Sequence, residues 1–445
     1  VPMRFRLLRL LVLAVLALAA AQAPASAQPA DHVVLISIDG LRPEFYLEPG
    51  RPAPMLRHMA AQGVSAEGVR AAFPSSTYPS HTTIITGAWP ARHGIYFNRD
   101  PESGAWTFFH DSIRVETLWA AVARTGGGVA NVGWPVSVGA PADFNVVISG
   151  ALQSSGLSAD PVRDLTAPAG LFAELEREAT GRLDVNRDLS NRNAGKEARV
   201  AQMAAYLVAQ HRPRLLTVAL QATDAHQHAF GREHLEVDLA LAAADHAIAR
   251  IVQAYREAGI LERTAFVISG DHGFSDLHTR LNPNRWLADA GLAGHAGRPR
   301  FVSSGGSAYL FVSGPQAAAA EAAVREVLAA QPAPVRALFR VVERDELDAL
   351  GAHPAPPLAL GAAAGVVFGE AADAEPVTAA SGGAHGHDAD VPGMKTGFVA
   401  WGAGIRPGLR VATMDLTDVA PLVAALLGLD FAAPDGLLRP GLLAD

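Results

Sequence analysis

The sequence predicts an α/β fold with a mostly parallel central sheet, helices on both faces of that sheet and a smaller α+β insertion. Short runs rich in Val, Ile and Leu alternate with segments of helical periodicity. These runs are continuously apolar, which is typical of strands buried on both faces. From about 280 to 380 Gly, Ala and Pro become more frequent, which indicates an inserted subdomain.

Five apolar runs are predicted to be strands of the central sheet. They span residues 33–38, 129–134, 215–220, 265–268 and 398–401. Asp39, Asp224 and Asp271 each follow the end of such a run. Because ligands of open α/β sheets collect beyond the carboxyl ends of the strands, we expect these three side chains to meet there.

Three helices are predicted in the core and one in the insertion. The first begins just after Thr77, and the others span residues 197–211, 235–258 and 316–330. The last follows a predicted strand over 308–312. One face of the 235–258 helix is predicted to be apolar and buried, and its residues are Leu235, Leu239, Ile248, Ile251, Val252 and Tyr255.

The composition of the chain excludes several kinds of protein. With 445 residues, 49% of them apolar, the chain can bury a large core. The net charge of −8 and the absence of Lys/Arg runs argue against a protein that binds duplex nucleic acid. The absence of cysteine excludes disulfides, a thiolate nucleophile and thiolate zinc sites. Composition leaves the oligomeric state open.

Residues 1–27 are predicted to be a bacterial signal peptide. Arg4, Arg6 and Arg9 precede an apolar run over 10–21, and Ala25-Ser26-Ala27 provides a cleavage site after Ala27. The alternative, a membrane anchor, needs about 20 apolar residues, more than this run provides. We therefore expect a periplasmic or secreted protein without a membrane span, whose catalytic domain comprises residues 28–445.

Separated clusters of Asp, His and Thr together make a candidate metal site. They are Asp39, Thr77, Asp224 with His228, Asp271 with His272, and His385. Three carboxylates and three imidazoles suit two borderline divalent cations such as zinc, and a hydroxyl among them can be a metal-activated nucleophile. The combination points to attack on phosphorus.

Each of these residues also has a simpler interpretation. Asp39-Gly40 is compatible with a turn, and Thr77 with a helix N-cap. Asp224 and His228 share a face of a helix, but so do solvated pairs at this spacing. His385 and His387 both lie in the glycine-rich segment 382–388, so either of them can be the ligand, and His226 is a further candidate. Only the joint pattern favours a metal site.

The order of these motifs resembles that of the alkaline phosphatase superfamily and, within it, the nucleotide pyrophosphatase/phosphodiesterase family. The resemblance runs from Val33 to about Leu427. Residues 73–81, Phe-Pro-Ser-Ser-Thr-Tyr-Pro-Ser-His, are similar to the nucleophile segment of the family. The other matching positions follow at the expected distances, and they are Thr86-Gly87, Pro90, His93-Gly94-Ile95 and Asn98.

This resemblance implies roles for individual residues. Thr77 would be the nucleophile and Asn98 a hydrogen-bond donor to the transition state. One zinc ion would be held by Asp39, Thr77, Asp271 and His272, and the other by Asp224, His228 and His385. Tyr78 and Trp134 would contact the substrate. A second aromatic residue that stacks on the base is expected within 155–190, where only Phe172 occurs.

The segment 131–136 bears on the substrate class. Related phosphomonoesterases place Lys and Arg at this point, whereas this chain has Asn-Val-Gly-Trp-Pro-Val. We therefore expect a dizinc phosphodiesterase or nucleotide pyrophosphatase that acts on small molecules through a phospho-threonine. A phosphomonoesterase or phosphonate hydrolase on the same site is the alternative within the superfamily. A binding or structural protein with a relic site is the alternative of another class.

Overall fold

A computed structural model describes residues 30–152, 155–292 and 299–445 of the chain. The predicted signal peptide, residues 1–27, lies outside the described residues. The strands of the described part are β1 His32–Ile38, β2 Val64–Ala66, β3 Val69–Arg70, β4 Val129–Val132, β5 Phe144–Val146, β6 Leu215–Leu220, β7 Thr264–Ser269, β8 Ser275–Asp276, β9 Thr279–Leu281, β10 Arg300–Ser303, β11 Ser307–Phe311, β12 Phe339–Glu343, β13 Leu358–Ala362, β14 Val366–Phe368, β15 Val377–Ala379, β16 Gly383–Ala384, β17 Phe398–Gly402, β18 Leu409–Val411 and β19 Met414–Asp415.

The helices connect these strands and cover the sheets. The α-helices of the described part are Glu44–Leu47, Pro54–Gln62, Thr77–Thr86, Pro90–His93, Leu118–Arg124, Pro161–Leu165, Leu171–Leu175, Val185–Asp188, Lys196–His211, Ala222–Phe230, Leu235–Glu257, Pro283–Asp289, Ala317–Ala329, Ala333–Arg336, Arg344–Ala349 and Val419–Leu426. Single tighter or wider turns occur at His110–Ser112, Glu176–Thr180, Leu261–Arg263 and Leu416–Asp418.

The central sheet has eight strands in the order β18-β2-β17-β7-β1-β6-β4-β5. β1 pairs in parallel with both β6 and β7, whereas β17 is antiparallel to its two neighbours. The predicted fold class is confirmed, and all five predicted strands lie in this sheet. Its other three strands, β2, β5 and β18, have three residues each, too few to show a periodicity.

Both faces of the central sheet are buried, as the continuous apolar runs predicted. Val34, Ile36 and Ile38 of β1 belong to one apolar cluster. Val33 and Leu35, which point to the opposite face, belong to a second cluster. Helices therefore have to cover the sheet on both sides.

The predicted buried face of the Leu235–Glu257 helix is wrong at its first turns. Leu235 and Leu239 are 68% and 51% exposed, whereas Val237, Leu241 and Ile248 are buried. At about 100° per residue, Leu235 and Leu239 lie on the opposite side of the helix from Ile248. The predicted apolar face therefore combined residues from the exposed side of the helix with residues from its buried side.

The insertion contains a separate antiparallel sheet with the order β10-β11-β13-β12. The predicted strand over 308–312 corresponds to β11, and the predicted helix over 316–330 to Ala317–Ala329. Phe301, Leu310, Val324 and Leu360 form its own apolar core. A three-stranded sheet, β14-β9-β15, lies beside it. In the described part of the chain, every helix is too short or too polar to cross a membrane.

Two variants of the Leu235–Glu257 helix test this packing. Ile248→Ala should lower the free energy of unfolding by about 2–5 kcal/mol, because it leaves a cavity in the core. Leu239→Ala on the same helix should change it by no more than about 0.5 kcal/mol. Denaturant unfolding of both variants measures the difference. Equal losses in the two would contradict the packing described above.

Candidate active site

Three neighbouring strands bring the predicted acidic residues together. Asp39 directly follows β1, and Asp271 lies two residues after β7. The helix Ala222–Phe230, which follows β6, carries Asp224 and His228. Because β6, β1 and β7 are adjacent and parallel, their carboxyl ends lie side by side. The sheet topology therefore concentrates these carboxylates at one end.

The turn after β1 depends on a glycine. Gly40 has a φ of +70°, and a Cβ there would lie 2.7 Å from Gln227 Nε2. Its backbone N–H donates to Asp271 Oδ1 at 3.0 Å. The backbone of His272 donates to the same oxygen, also at 3.0 Å. These two bonds hold one oxygen of Asp271 and leave Oδ2 free.

Thr77 is the first residue of the Thr77–Thr86 helix. Its Oγ1 lies 3.5 Å from His272 Nε2, and the residue is 9% exposed. One turn further, His81 Nδ1 donates to the carbonyl of Thr77 at 2.8 Å. The hydroxyl thus faces the cluster from a helix N-terminus, where backbone N–H groups favour negative charge.

His385 comes from the segment 382–388 and reaches the same cluster. Its Nδ1 donates to the carbonyl of Ser75 at 2.8 Å, and the backbone of Gly386 donates to that carbonyl at 2.9 Å. The imidazole of His385 stacks on that of His272, with 3.6 Å between the ring centroids. The segment is therefore attached directly to the residues that precede Thr77.

The imidazoles of the cluster are oriented by backbone carbonyls. His228 Nδ1 donates to Gly383 O at 2.9 Å, and His272 Nδ1 donates to Gly273 O at 3.2 Å. Their Nε2 atoms face carboxylates, at 3.3 Å from Asp224 Oδ1 for His228 and 3.1 Å from Asp271 Oδ2 for His272. Histidine ligands of metals are usually oriented in this way.

Two groups within the described residues have the geometry to hold a metal ion. Asp224, His228 and His385 form one group, and Asp39, Asp224 and His272 form the other. Asp224 Oδ1 lies between them, 4.0 Å from His272 Nε2 and 3.7 Å from His385 Nε2. The two groups therefore share the carboxylate of Asp224.

Three buried carboxylate oxygens of this cluster lack a hydrogen-bond donor within the described residues. They are Asp39 Oδ1, Asp224 Oδ1 and Asp271 Oδ2. Leaving a buried polar atom unpaired costs about 1–3 kcal/mol, and more when the group is charged. Divalent cations fit this donor set, because they satisfy these oxygens and offset their mutual repulsion.

The carboxyl pKa values reflect the same crowding. Burial raises the pKa of Asp39 well above its ordinary value, and the neighbouring Asp224 and Asp271 raise it further. Burial is also the main cause that raises the pKa of Asp271, to about 7. Burial would raise the pKa of Asp224 as well, but His228 overrides this and lowers it. Three buried carboxylates this close together repel one another when all of them are ionised.

The imidazole pKa values favour neutral ligands at two of three positions. Burial lowers the pKa of His272 well below its ordinary value and that of His385 to about 4. Burial would lower the pKa of His228 as well, but the neighbouring Asp224 carboxylate raises it above its ordinary value. Neutral imidazole is the form that binds metals.

The two other histidines considered for the metal site are used elsewhere. His226 Nδ1 donates to the carbonyl of Ala222 at 2.7 Å, and His387 Nε2 donates to Val366 O at 2.7 Å. Neither belongs to the two metal-binding groups. His387 instead attaches the segment 382–388 to β14 of the insertion.

Asn98 lies beside the Thr77–Thr86 helix. Its Oδ1 accepts a hydrogen bond from the backbone N–H of Tyr78 at 2.8 Å. This bond leaves the amide NH₂ of Asn98 free, at the wall of a cavity of about 360 Å³ that His228 and His385 also line. The orientation suits a hydrogen-bond donor.

The predicted substrate-binding aromatics are largely buried. Tyr78 is 4% exposed, and its hydroxyl lies 3.3 Å from Ser149 Oγ. Trp134 is 2% exposed and packs edge-on against His81 at 5.1 Å. Both line a narrow cleft that Gln221 also lines. Phe172, the one aromatic of the segment 155–190, is buried in the core and lies beneath Arg163.

Two residues near the site had no sequence motif to reveal them. Trp106 packs at 5.4 Å from Tyr78 and lines the cavity beside Asn98. Lys196 is fully buried, donates to Asn191 and Gln221 at 2.6 Å each, and its charge acts on Asp39. Burial lowers the pKa of Lys196 to about 8. The only hint of Lys196 in the sequence is the rarity of lysine, since the chain has only two.

Comparison with known proteins agrees with this geometry. The family model described as type I phosphodiesterase/nucleotide pyrophosphatase matches residues 33–388. The human ectonucleotide pyrophosphatase/phosphodiesterase family member 1 is 22% identical over 431 residues, which cover 91% of this chain. The match covers 40% of that human protein, so the chain spans less than half of its length.

Solved structures share the architecture. Human ectonucleotide pyrophosphatase/phosphodiesterase 5 matches with a TM-score of 0.67 and 17% identity, over 93% of this chain and 100% of that one. Its murine counterpart, an inactive threonine-to-alanine variant in complex with AMP, matches with a TM-score of 0.65 and 19% identity, over 94% and 100%. These structures have the alkaline-phosphatase-like fold. Since the family model covers most of the chain, this protein belongs to the type I phosphodiesterase/nucleotide pyrophosphatase family.

Proposed function

We propose that this protein is a dizinc phosphodiesterase and nucleotide pyrophosphatase that acts through a phospho-threonine intermediate. The observation that carries the proposal is the hydroxyl of Thr77, held 3.5 Å from His272 Nε2 at the edge of a cluster with three unpaired carboxylate oxygens. Membership of the family supports the reaction class. The bond cleaved would be a phosphodiester or a pyrophosphate bond.

Two zinc ions would share the cluster. Asp39, Thr77, Asp271 and His272 would hold the first, and Asp224, His228 and His385 would hold the second. Bound there, the cations would favour the deprotonated form of Thr77 and offset the charge that builds on the phosphoryl and leaving oxygens. The all-nitrogen and oxygen donor set of Asp and His agrees with zinc as a borderline cation.

Thr77 would act as the nucleophile. Its Oγ1 forms a bond to phosphorus while the bond from phosphorus to the leaving oxygen breaks. The proton of Thr77 is released to solvent, and the leaving group takes up a proton from solvent. Water then attacks the phosphorus of the phospho-threonine. One proton of this water returns to Thr77 Oγ1, and the rest of the substrate leaves as a phosphate monoester.

Asn98 would stabilise the charge that develops during attack. Because Tyr78 already engages Oδ1, only the NH₂ group of Asn98 can point to a phosphoryl oxygen. A donor fixed in this way before the reaction needs little reorganisation. Its partner Tyr78, with Trp134 nearby, would contact the substrate, and the AMP complex of the murine relative supports a nucleotide.

A diester substrate agrees with the residues that follow β4. The segment 131–136 contains no basic side chain, and the ammonium group of Lys196 already donates to Asn191 and Gln221. The apolar run that precedes Ala25-Ser26-Ala27 supports a secreted or periplasmic location, in which the enzyme would meet small phosphodiesters outside the cytoplasm.

Metal removal tests the proposed cofactors. A chelator should abolish activity, and zinc should restore it, because without cations nothing offsets the mutual repulsion of the carboxylates or the charge that builds on the phosphoryl group. His385→Ala should reduce bound zinc from two ions per chain to one, measured by elemental analysis. His226→Ala is the matched control, because His226 bonds only to the backbone, and it should keep both ions. Full zinc and full activity in His385→Ala would contradict the assignment.

Variants of Thr77 test the covalent step. Thr77→Ala should lower kcat by at least about 1000-fold, because no hydroxyl remains to attack. Thr77→Ser should keep partial activity, and both should retain bound metal. Rapid quenching of the wild-type enzyme during turnover of a nucleotide diester, followed by mass spectrometry, should detect the nucleoside phosphoryl group on Thr77. Turnover of Thr77→Ala near the wild-type rate would mean that water attacks directly.

The charge of the substrate tests the diesterase assignment. A monoester dianion carries one more negative charge than a diester, and the segment 131–136 offers no cation to bind it. The ratio kcat/KM for a nitrophenyl diester should exceed that for 4-nitrophenyl phosphate by at least about tenfold. Steady-state rates of nitrophenol release measure both. Equal or reversed values would favour the phosphomonoesterase alternative.

A further inference from the structure

The cavity beside the candidate metal ligands extends into the insertion. His228, His385 and Asn98 line this cavity of about 360 Å³. Arg99 and Arg300 line the same cavity. Arg300 Nη2 donates to the carbonyl of Pro101 at 2.8 Å, which joins β10 of the insertion to the loop after Asn98. The insertion thus provides a wall of the site.

Both guanidinium groups on that wall are held by aromatic rings. The guanidinium carbon of Arg99 lies 4.5 Å from the centroid of the Trp106 ring, and that of Arg300 lies 5.4 Å from the centroid of Phe311. Each group also donates to one backbone carbonyl, Gly104 O for Arg99 and Pro101 O for Arg300. Since a guanidinium has five N–H donors, the described residues leave most of them available to a ligand.

The acidic residues of the same cavity do not pair with these arginines. Asp100 Oδ1 accepts hydrogen bonds from the backbone of Ser103 at 2.7 Å and of Glu102 at 3.1 Å. Glu370 Oε1 accepts one from the backbone of Ser303 at 2.8 Å. Within the residues described, neither Arg99 nor Arg300 forms an ion pair with a carboxylate. The charge of Arg300 acts on Asp100, but both guanidinium groups keep N–H donors that no carboxylate of the described residues engages.

The position of the cavity identifies which part of a substrate would enter it. Thr77 Oγ1 lies beside His272, so attack comes from the side of that ligand group. In an in-line displacement the leaving oxygen departs from the side opposite the attacking oxygen. We place that side at His228 and His385, which belong only to the other group, whereas Asp224 belongs to both. Because His228 and His385 line the cavity, the leaving group would extend into it, toward Arg99 and Arg300.

We propose that Arg99 and Arg300 form a subsite for a terminal phosphate on the leaving group. A planar guanidinium matches two phosphate oxygens at once, and the aromatic ring beneath it limits the freedom lost on binding. The favoured substrates are then diesters or pyrophosphates whose leaving group ends in a phosphate. This inference rests on the proposed function and assigns its specificity to two residues outside the metal cluster.

Three thymidine 5′-phosphate esters that differ only in the leaving group test this subsite. Thymidine 5′-triphosphate has an anionic leaving group, the 4-nitrophenyl ester an uncharged tail, and the choline ester a cationic one. In Arg99→Ala and Arg300→Ala, kcat/KM for the triphosphate should fall about tenfold each, the loss expected for one charge-assisted contact. The other two esters should change less than about twofold.

Further variants separate charge from folding. Arg300→Gln keeps an N–H donor for Pro101 without the charge, so it should show the same selective loss as Arg300→Ala. Arg336→Ala removes an exposed arginine of the insertion outside the cavity and should leave all three rates unchanged.

The outcomes distinguish this inference from the proposed function. Failure of the wild-type enzyme to cleave the 4-nitrophenyl ester would contradict the proposed function itself. If the wild type cleaves that ester, an Arg99→Ala/Arg300→Ala double variant with unchanged triphosphate turnover would overturn only the subsite. Equal losses on all three esters, or a gain on the choline ester that matches the loss on the triphosphate, would overturn it as well.

Discussion

The repulsion among three buried carboxylates is the constraint on which the rest of the site depends. Asp39, Asp224 and Asp271 meet because three parallel strands end side by side, and each has an oxygen with no donor within the described residues. Burial raises the pKa of Asp39 and Asp271, a sign that this arrangement is unfavourable without positive charge. Cations bound at this cluster would offset the repulsion, and the Nε2 atoms of the surrounding imidazoles already face the carboxylates.

The insertion contacts the segments that carry the site residues. Ser304 Oγ lies 2.6 Å from Ser76 Oγ, and Ser76 directly precedes Thr77. His387 bonds to β14, and Arg340 of β12 pairs with Asp388, so two side-chain contacts attach the segment that carries His385 to the insertion. A close fit at Gly386, whose φ is +91°, brings this segment against Ser304. Movement of the insertion would therefore move His385 and the cavity wall together.

Much of the core was predictable from the sequence because its signals are local. Continuous apolar runs marked β1, β6 and β7, and the residues just beyond them marked the shared end of the sheet. The helical spacing of Asp224 and His228 correctly indicated one face of the helix Ala222–Phe230. The short strands β2, β5 and β18 and the exposed Leu235 and Leu239 were missed or misassigned, since neither shows in a count of apolar residues.

The walls of the site could not be predicted, because they depend on contacts between distant segments. Lys196 lies far in sequence from Asp39, and Arg300 is 199 residues from its partner Pro101. No spacing rule connects such positions. The choice between His385 and His387 was likewise open until the fold directed one imidazole to the carboxylates and the other to Val366.

Crystallography of the zinc-loaded protein tests the central claim most directly. Anomalous diffraction collected on either side of the zinc absorption edge locates the ions without assuming their ligands. The account predicts two peaks on either side of Asp224, each at about 2.0–2.2 Å from carboxylate oxygens or imidazole Nε2 atoms. The account would be contradicted by the absence of peaks at this cluster, with Asp39, Asp224 and Asp271 paired instead to water or to protein donors.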